Sequence, residues 1–184
     1  MRLLLLALAL MATPALADDA AMGGMPAPIA AGPAHEHFKA FVGNWKVEIT
    51  MNQPDGTALK SEGKQTSSLV LGGLGMAFEH ESMMGPMKML GHGFSTWIPG
   101  KNKYESYWMD NMSQNGMSHG WATWDDATQT LTEVMTGPGP DGKEMSMTMV
   151  TKVESADKHT STFMMKGPDG KDFPMMMMVY TRVK

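Results

Sequence analysis

Methionine is the residue type in this chain with the most chemistry to offer. The 184-residue sequence contains 23 methionines, and 21 remain if residues 1–17 are removed as a leader. The same shortened chain has only 17 leucine, isoleucine and valine residues together. A thioether is a soft ligand that favours Cu(I), and it is also a flexible hydrophobic group that fills irregular space in a core. The chain therefore either builds an unusual core or uses its sulfur atoms.

The methionines are densest in one short segment. Met83, Met84, Met87 and Met89 follow the pattern Met-Met-x-x-Met-x-Met, which resembles the spaced methionines of exported bacterial copper-handling proteins. Because a soft neutral sulfur suits a soft monovalent ion, these four residues are the predicted ligands for Cu(I). The alternative is a hairpin whose methionines pack as ordinary hydrophobic groups.

A second set of residues predicts a cavity for a small apolar ligand. Met145, Met147 and Met149 alternate along the chain, so they share one face of a strand. His92 and His119 fall at strand centres, where each could supply a polar group inside an apolar cavity or bond to the wall. The predicted lining consists of Trp45, Met76, His92, Trp108, His119, Met145, Met147 and Met149.

The other histidines have weaker patterns. His35 and His37 could bind Cu(II) or Zn(II) in an extended segment, but in a helix their side chains diverge. His80 lies in Glu-His-Glu and is expected on a solvated strand face, and His159 is expected to be exposed. A haem ligand would require a histidine that points into open space inside the fold.

Composition excludes several classes of function. The formal net charge is −4, which argues against nucleic acid and anionic membranes as partners. The chain has no cysteine, so disulfides and thiolate chemistry are excluded. The His-Glu-x-x-His motif, a phosphate loop and a dinucleotide fingerprint are absent, so the sequence predicts no defined reaction.

Apolar and polar residues alternate along most of the chain, which indicates half-buried strands. The first strand is Trp45–Met51, and similar runs follow near 59–71, 74–84, 87–97, 103–109, 117–125, 129–136, 144–153, 159–166 and 173–183. Three Pro-Asp-Gly turns support hairpins between them. Because a meander closes its edges by rolling up, we predict an all-β fold, a single antiparallel up-and-down barrel of about ten strands, with an open two-sheet sandwich as the alternative.

The predicted barrel has a short helix at one end, and its hairpin tips determine where two methionine-rich segments lie. Residues 35–42 are expected to form a short helix that caps one mouth. Successive hairpins alternate between the two ends, so the tips after the third and fifth strands share one rim. Both of those tips, 83–87 and 109–117, are rich in methionine.

The N-terminus has the pattern of a secretory leader. Arg2 precedes a short apolar run, and Ala15-Leu16-Ala17 ends it, so residues 1–17 are predicted to be a signal peptide. The run is too short for a membrane anchor. We expect export, most simply to a bacterial periplasm, with residues 18–34 as a flexible lead-in rich in alanine, glycine and proline.

Several motifs in order resemble a known family. They are His37–Trp45 (His-Phe-x-x-Phe-Val-Gly-Asn-Trp), Leu71–Met76, Gly91–Phe94, Lys103–Asp110 and Tyr180–Arg182. This set is similar to the DUF1579 family, an uncharacterised group with a calycin-like (lipocalin-type) barrel. The resemblance covers about 35–183, so residues 35–184 are expected to be one such domain. It implies a fold and a hydrophobic interior, but no established reaction or catalytic residue.

These observations predict an exported barrel that binds a small apolar molecule or a soft metal ion. Copper binding through the methionine-rich tips is the first alternative. A third hypothesis is that surface methionines consume oxidants, because thioethers oxidise reversibly.

Overall fold

The chain forms ten strands that follow one short helical segment. The computed structural model describes residues 29–53, 55–112, 116–139, 142–166 and 170–184. The predicted leader and most of the lead-in, 18–28, lie outside the described residues, so both remain predictions. The elements are α1 (Pro33–Glu36), a 3-10 turn (His37–Ala40), β1 (Gly43–Asn52), β2 (Ala58–Val70), β3 (Gly75–Met84), β4 (Met87–Ile98), β5 (Lys103–Asp110), β6 (Ser118–Asp125), β7 (Thr130–Pro138), β8 (Glu144–Ser155), β9 (Lys158–Lys166) and β10 (Asp172–Arg182).

The strands close into an antiparallel barrel. Each strand pairs with the next along the chain, and β10 pairs with β1 to complete the cylinder. This confirms the predicted ten-stranded up-and-down barrel over the open sandwich. Closure leaves no free edge in the sheet that the structure describes.

The register shows which side chains point inward. In β1, Trp45, Val47 and Ile49 are buried, whereas Lys46 and Glu48 between them are exposed. Residues directly opposite each other in a ladder share a face, so the buried set identifies the inner positions of every strand in turn.

The helical segment closes one end of the barrel, which we call the helical end. Phe38 and Phe41 pack with Met76, Tyr104 and Ala122 in a buried cluster. The indole N–H of Trp45, which is also buried, donates a hydrogen bond of 2.8 Å to the Phe41 carbonyl. The predicted helical cap is confirmed, although it is one α-helical turn followed by a 3-10 turn.

The opposite end, which we call the distal end, carries the hairpins after β1, β3, β5, β7 and β9. In the first of these, Gly56 has a φ of 83° and its N–H bonds the Gln53 carbonyl. Gly142 and Gly170 have φ values of 77° and 75°, so the third position of each Pro-Asp-Gly turn takes the conformation that favours glycine. Pro54, Pro140, Asp141, Pro168 and Asp169 lie outside the described residues.

No helix in the described part of the chain has the length and hydrophobicity needed to cross a bilayer.

Candidate functional site

The inner face of the barrel is rich in methionine towards the distal end. Met135 pairs with Met147, Met51 pairs with Met176, and Met84 pairs with Met87. In each of these strands a deeply buried residue lies an even number of positions away, such as Glu133 in β7. Residues at alternate positions share a face, so these methionines point inward. Among the described residues, the inner methionine surface consists of Met51, Met84, Met87, Met89, Met135, Met145, Met147, Met149, Met165 and Met176.

Solvent reaches this surface. Nine of its ten members are half-buried and Met87 is exposed, whereas Met76 and Met178 on the same inner face are only 8% and 5% exposed. The inner face is therefore buried towards the helical end and partly accessible to solvent towards the distal end. Because methionine has three rotatable bonds and no branch, such a surface can rearrange around a guest molecule.

The four predicted copper ligands divide between the two faces of the barrel wall. Met89 lies opposite the buried Ser82, and Met84 follows Ser82 at the next inner position. Met83 lies opposite Lys88 on the outer face and is 43% exposed. The hairpin thus brings Met84, Met87 and Met89 together inside and excludes Met83 from that group.

Three of the predicted cavity residues belong to the inner methionine surface, and three more face the interior at other positions. Met145, Met147 and Met149 face inward from β8, as predicted. Trp108 also faces inward, and its indole N–H donates to Asp110 Oδ2 at 2.7 Å. Trp45 and Met76 are buried near the helical end, where they support the cap.

His92 and His119 do not face the interior of the barrel. Their neighbours Gly91 and Gly93 take the inner positions of β4, because a Cβ on either would meet the ring of Trp108 or Phe78 at 2.2 Å or less. Alternation therefore turns His92 outward, 3.9 Å from Glu79. His119 also lies on the outer wall, where its Nε2 is 3.0 Å from Glu105 Oε1. The expectation of inward histidines at these two positions is corrected.

Two other histidines occupy the interior instead. His80 and His159 were expected on the surface, but they are 4% and 3% exposed. Burial lowers the pKa of His80 to about 4. Burial, with a smaller contribution from Arg182, lowers the pKa of His159 to about 4 as well. Both rings are thus neutral at neutral pH. In the described part of the chain, His80 Nε2 and His159 Nδ1 have no hydrogen-bond partner.

A buried carboxyl group lies on the inner face of β7. Glu133 accepts a short hydrogen bond from Ser106 and is 4% exposed. Burial raises its pKa, while the bond to Ser106 and the charge of His119 oppose the shift. Sequence patterning missed this residue, although its parity with Leu131 and Met135 was a usable signal.

The pair His35 and His37 serves the helical cap. The Gly32 N–H donates to His35 Nδ1 at 2.9 Å. His37 Nδ1 is 2.5 Å from the Tyr104 hydroxyl, and His37 Nε2 is 3.3 Å from Asp126. Burial, followed by the charge of Asp126, raises the pKa of Tyr104 to about 12. Across the described ranges, no three His, Asp or Glu side chains are placed to hold an ion.

The segment Gly116–Gly120 has the Gly-x-Ser-x-Gly pattern of a hydrolase nucleophile elbow. Such an elbow joins a strand to a helix and exposes the serine on a sharp turn. Here Ser118 begins β6 and the chain continues as a strand. Ser118 and His119 point to opposite faces of the wall, so His119 is not placed to act as a base for this serine.

Comparison with known proteins agrees with the fold. The family model described as "Protein of unknown function (DUF1579)" matches residues 30–182. The chain belongs to the DUF1579 family. The match spans α1 and all ten strands, which confirms the resemblance drawn from the ordered motifs. No curated protein matches the chain.

Solved structures place this DUF1579 domain among barrel proteins. Rv2717c from M. tuberculosis aligns with a TM-score of 0.63 at 12% identity, over 83% of this chain and 99% of that chain. The S-type phycobiliprotein lyase CPES from Guillardia theta aligns with a TM-score of 0.57 at 10% identity, over 82% of this chain and 93% of that chain. At such identities the likeness is one of fold.

Proposed function

We propose that this protein is an exported carrier or sensor of a small apolar molecule, which it binds on the inner methionine surface. The observation that carries the proposal is that ten inward methionines remain partly accessible in a barrel whose helical end is packed. A ligand site of this type is concave, mostly apolar and supplied with a few polar groups. Export rests on the leader pattern of residues 1–17.

The chemistry of the surface supports an apolar guest. Thioethers bury apolar area without demanding hydrogen bonds, and their flexibility lets one surface fit several shapes. Each buried CH₂ of a guest contributes roughly 0.8 kcal/mol. Phe163, opposite Met149, and Trp108 add rigid aromatic area to this face.

The test is binding of an uncharged fluorescent probe, N-phenyl-1-naphthylamine, to the purified mature protein. We expect saturable binding that Met147→Asp weakens at least tenfold, because the new charge would be desolvated by the probe. Ser146→Asp is the matched control, since Ser146 is the exposed neighbour on the outer face. Equal effects of the two substitutions, in variants with unchanged near-ultraviolet circular dichroism, would refute the proposal.

A second candidate function is Cu(I) binding, favoured by the convergence of Met84, Met87 and Met89 on one inner face. Thioether ligands select Cu(I) over harder ions. Replacing all three with leucine conserves volume, so the fold should persist while Cu(I) affinity falls. Met83→Leu is the control, because Met83 lies on the outer face. Retention of wild-type Cu(I) affinity in the triple variant would rule this candidate out.

A further inference from the structure

Two buried polar atoms on the inner face of β3 have no hydrogen-bond partner among the residues that the structure describes. His80 Nε2 and Ser82 Oγ are both unpaired, and their side chains are 4% and 3% exposed. The residues alternate along one strand, so both side chains point into the barrel. An unsatisfied buried polar group destabilises the folded state, so a native structure that keeps two of them side by side requires a physical explanation.

The polar neighbours of His80 are engaged elsewhere. Gln65 lies directly opposite His80 on β2, but its amide donates to Ser67 Oγ at 3.2 Å, towards the helical end. The Trp108 ring lies 6.3 Å from the His80 ring at 66°, and its N–H is bonded to Asp110. Neither of these hydrogen bonds satisfies His80 Nε2.

The surroundings of Ser82 connect this pair to the inner methionine surface. Gly63 lies opposite Ser82 on β2, and a Cβ there would come within 2.8 Å of Ser82 Cβ. Glycine therefore lets β2 lie close against Ser82. On the other side, Met89 faces Ser82 directly, and Met84 follows at the next inner position. The two polar atoms thus lie at the inner edge of the methionine surface, and flexible thioethers separate them from the distal end.

We propose that His80 and Ser82 anchor the uncharged polar end of an amphiphilic ligand, such as a long-chain alcohol or amide, whose apolar part lies on the inner methionine surface. The inference rests on the proposed apolar-ligand function and specifies its ligand class. A hydroxyl or amide both donates and accepts, so it can pair with a neutral imidazole and with a serine hydroxyl. A pocket with polar groups positioned in this way rejects an analogue that lacks the polar group, because the buried atoms then stay unpaired.

The experiment compares octan-1-ol with n-octane as competitors of N-phenyl-1-naphthylamine. The ratio of their two dissociation constants isolates the contribution of the hydroxyl from that of the chain. We expect His80→Phe and Ser82→Ala each to shift this ratio about tenfold against octan-1-ol. His159→Phe is the matched control, because His159 is equally buried with an unpaired nitrogen but lies at the helical end, and it should leave the ratio unchanged.

A second measurement does not depend on folded variants. In the wild-type protein labelled with ¹⁵N-histidine, octan-1-ol should shift the His80 Nε2 resonance and n-octane should not. If both compounds displace the probe but the ratio is the same in every variant and His80 does not respond, the anchor is disproved and the apolar-ligand function stands. If neither displaces the probe, and the probe itself does not bind, both fail. Tighter binding of octanoate than of octan-1-ol would overturn the uncharged ligand class.

Discussion

At the scale of single residues, the aromatic rings around His159 lower its pKa. His159 stacks on Tyr180 with ring centroids 4.2 Å apart, and Trp45 and Phe41 approach edge-on at 4.5 and 5.3 Å. Such an apolar enclosure disfavours the charged form, and so it lowers the pKa of His159 to about 4. The residue therefore links the stability of the barrel to pH.

We predict that the protein loses stability as pH falls from 6.5 to 4. In this window the unfolded chain binds a proton at His159 that the folded chain does not, so the free energy of unfolding decreases with decreasing pH. The lowered pKa corresponds to about 3 kcal/mol. His159→Phe keeps the aromatic packing and should reduce the slope of unfolding free energy against pH, measured by urea denaturation. His92→Gln, at an exposed position, should keep the wild-type slope, and an unchanged slope in His159→Phe would contradict the prediction.

Glu133 should have the opposite pH dependence. Burial raises its pKa, so the folded state retains a proton that the unfolded state loses as pH rises above 4.5. Stability from this group is therefore present at low pH and is lost as pH rises through the folded pKa. Glu133→Gln removes the ionisation and can still accept the hydrogen bond from Ser106. The variant should become more stable relative to the wild type as pH rises above 4.5 in thermal denaturation, and a difference that does not change with pH would refute the assignment.

The sequence pattern predicted the wrong face of the barrel wall for His80 and His92, and the reason is physical. His80 lies between two glutamates, so local composition suggests a wet face, but its parity with Met76 and Phe78 makes it an inner residue. His92 lies between two glycines, and glycine gives no hydrophobic signal for either face. Only the rings of neighbouring strands, which fill the space above those glycines, decide which way the histidine points.

At the scale of elements, β4 depends on glycines that make room for aromatic rings from the strands beside it. Gly93 is buried, and a Cβ at this position would lie 1.9 Å from the Phe78 ring. Phe78 in turn stacks on Trp108 at 5.9 Å. The wall formed by β3, β4 and β5 is therefore one interlocked unit, and it presents both Trp108 and the pair of His80 and Ser82 to the interior.

We predict that Gly93→Ala lowers the free energy of unfolding by about 1–3 kcal/mol, because the added methyl overpacks the wall and displaces a rigid ring. Gly100→Ala is the control, since a Cβ there meets nothing within 4 Å and its φ is not left-handed. Chemical denaturation of both variants gives the comparison. Equal stability of the two variants would show that the ring packing does not constrain β4.

The turn motifs and the alternation of apolar and polar residues predicted most of the secondary structure. The strand pattern and the three Pro-Asp-Gly turns predicted ten strands, and the described turn residues have the positive φ that this motif requires. The strand bounds differ by a few residues at most ends. In β10 a bulge between Pro174 and Met176 shifts the register, which the run of four methionines could not reveal.

At the scale of the whole molecule, the order of the strands places many of the methionines near the distal end of the barrel. An even number of strands and alternating hairpins place the β3–β4 tip at the same end as the β1–β2, β7–β8 and β9–β10 turns, as the sequence predicted. The sequence could not predict how the methionines divide between the faces, because both faces of β10 carry methionine. Met176 and Met178 point inward, and Met177 is 41% exposed on the outer face.

Because the methionines divide between the inner and outer faces, one NMR spectrum can show which face binds a ligand. Methionine methyl groups give separate ¹³C-methyl resonances, and inner and outer positions alternate within single strands. Met83 and Met84 are adjacent in β3, and they face opposite sides of the wall.

The most direct test is therefore a ¹³C-methyl methionine NMR titration of the mature protein with N-phenyl-1-naphthylamine, with assignments made by single leucine substitutions. We expect saturable shifts at Met84, Met89, Met147 and Met149 and none at Met83 or Met177. Shifts confined to the outer methyl groups, or spread equally over both faces, would contradict the claim that the inner methionine surface is the binding site.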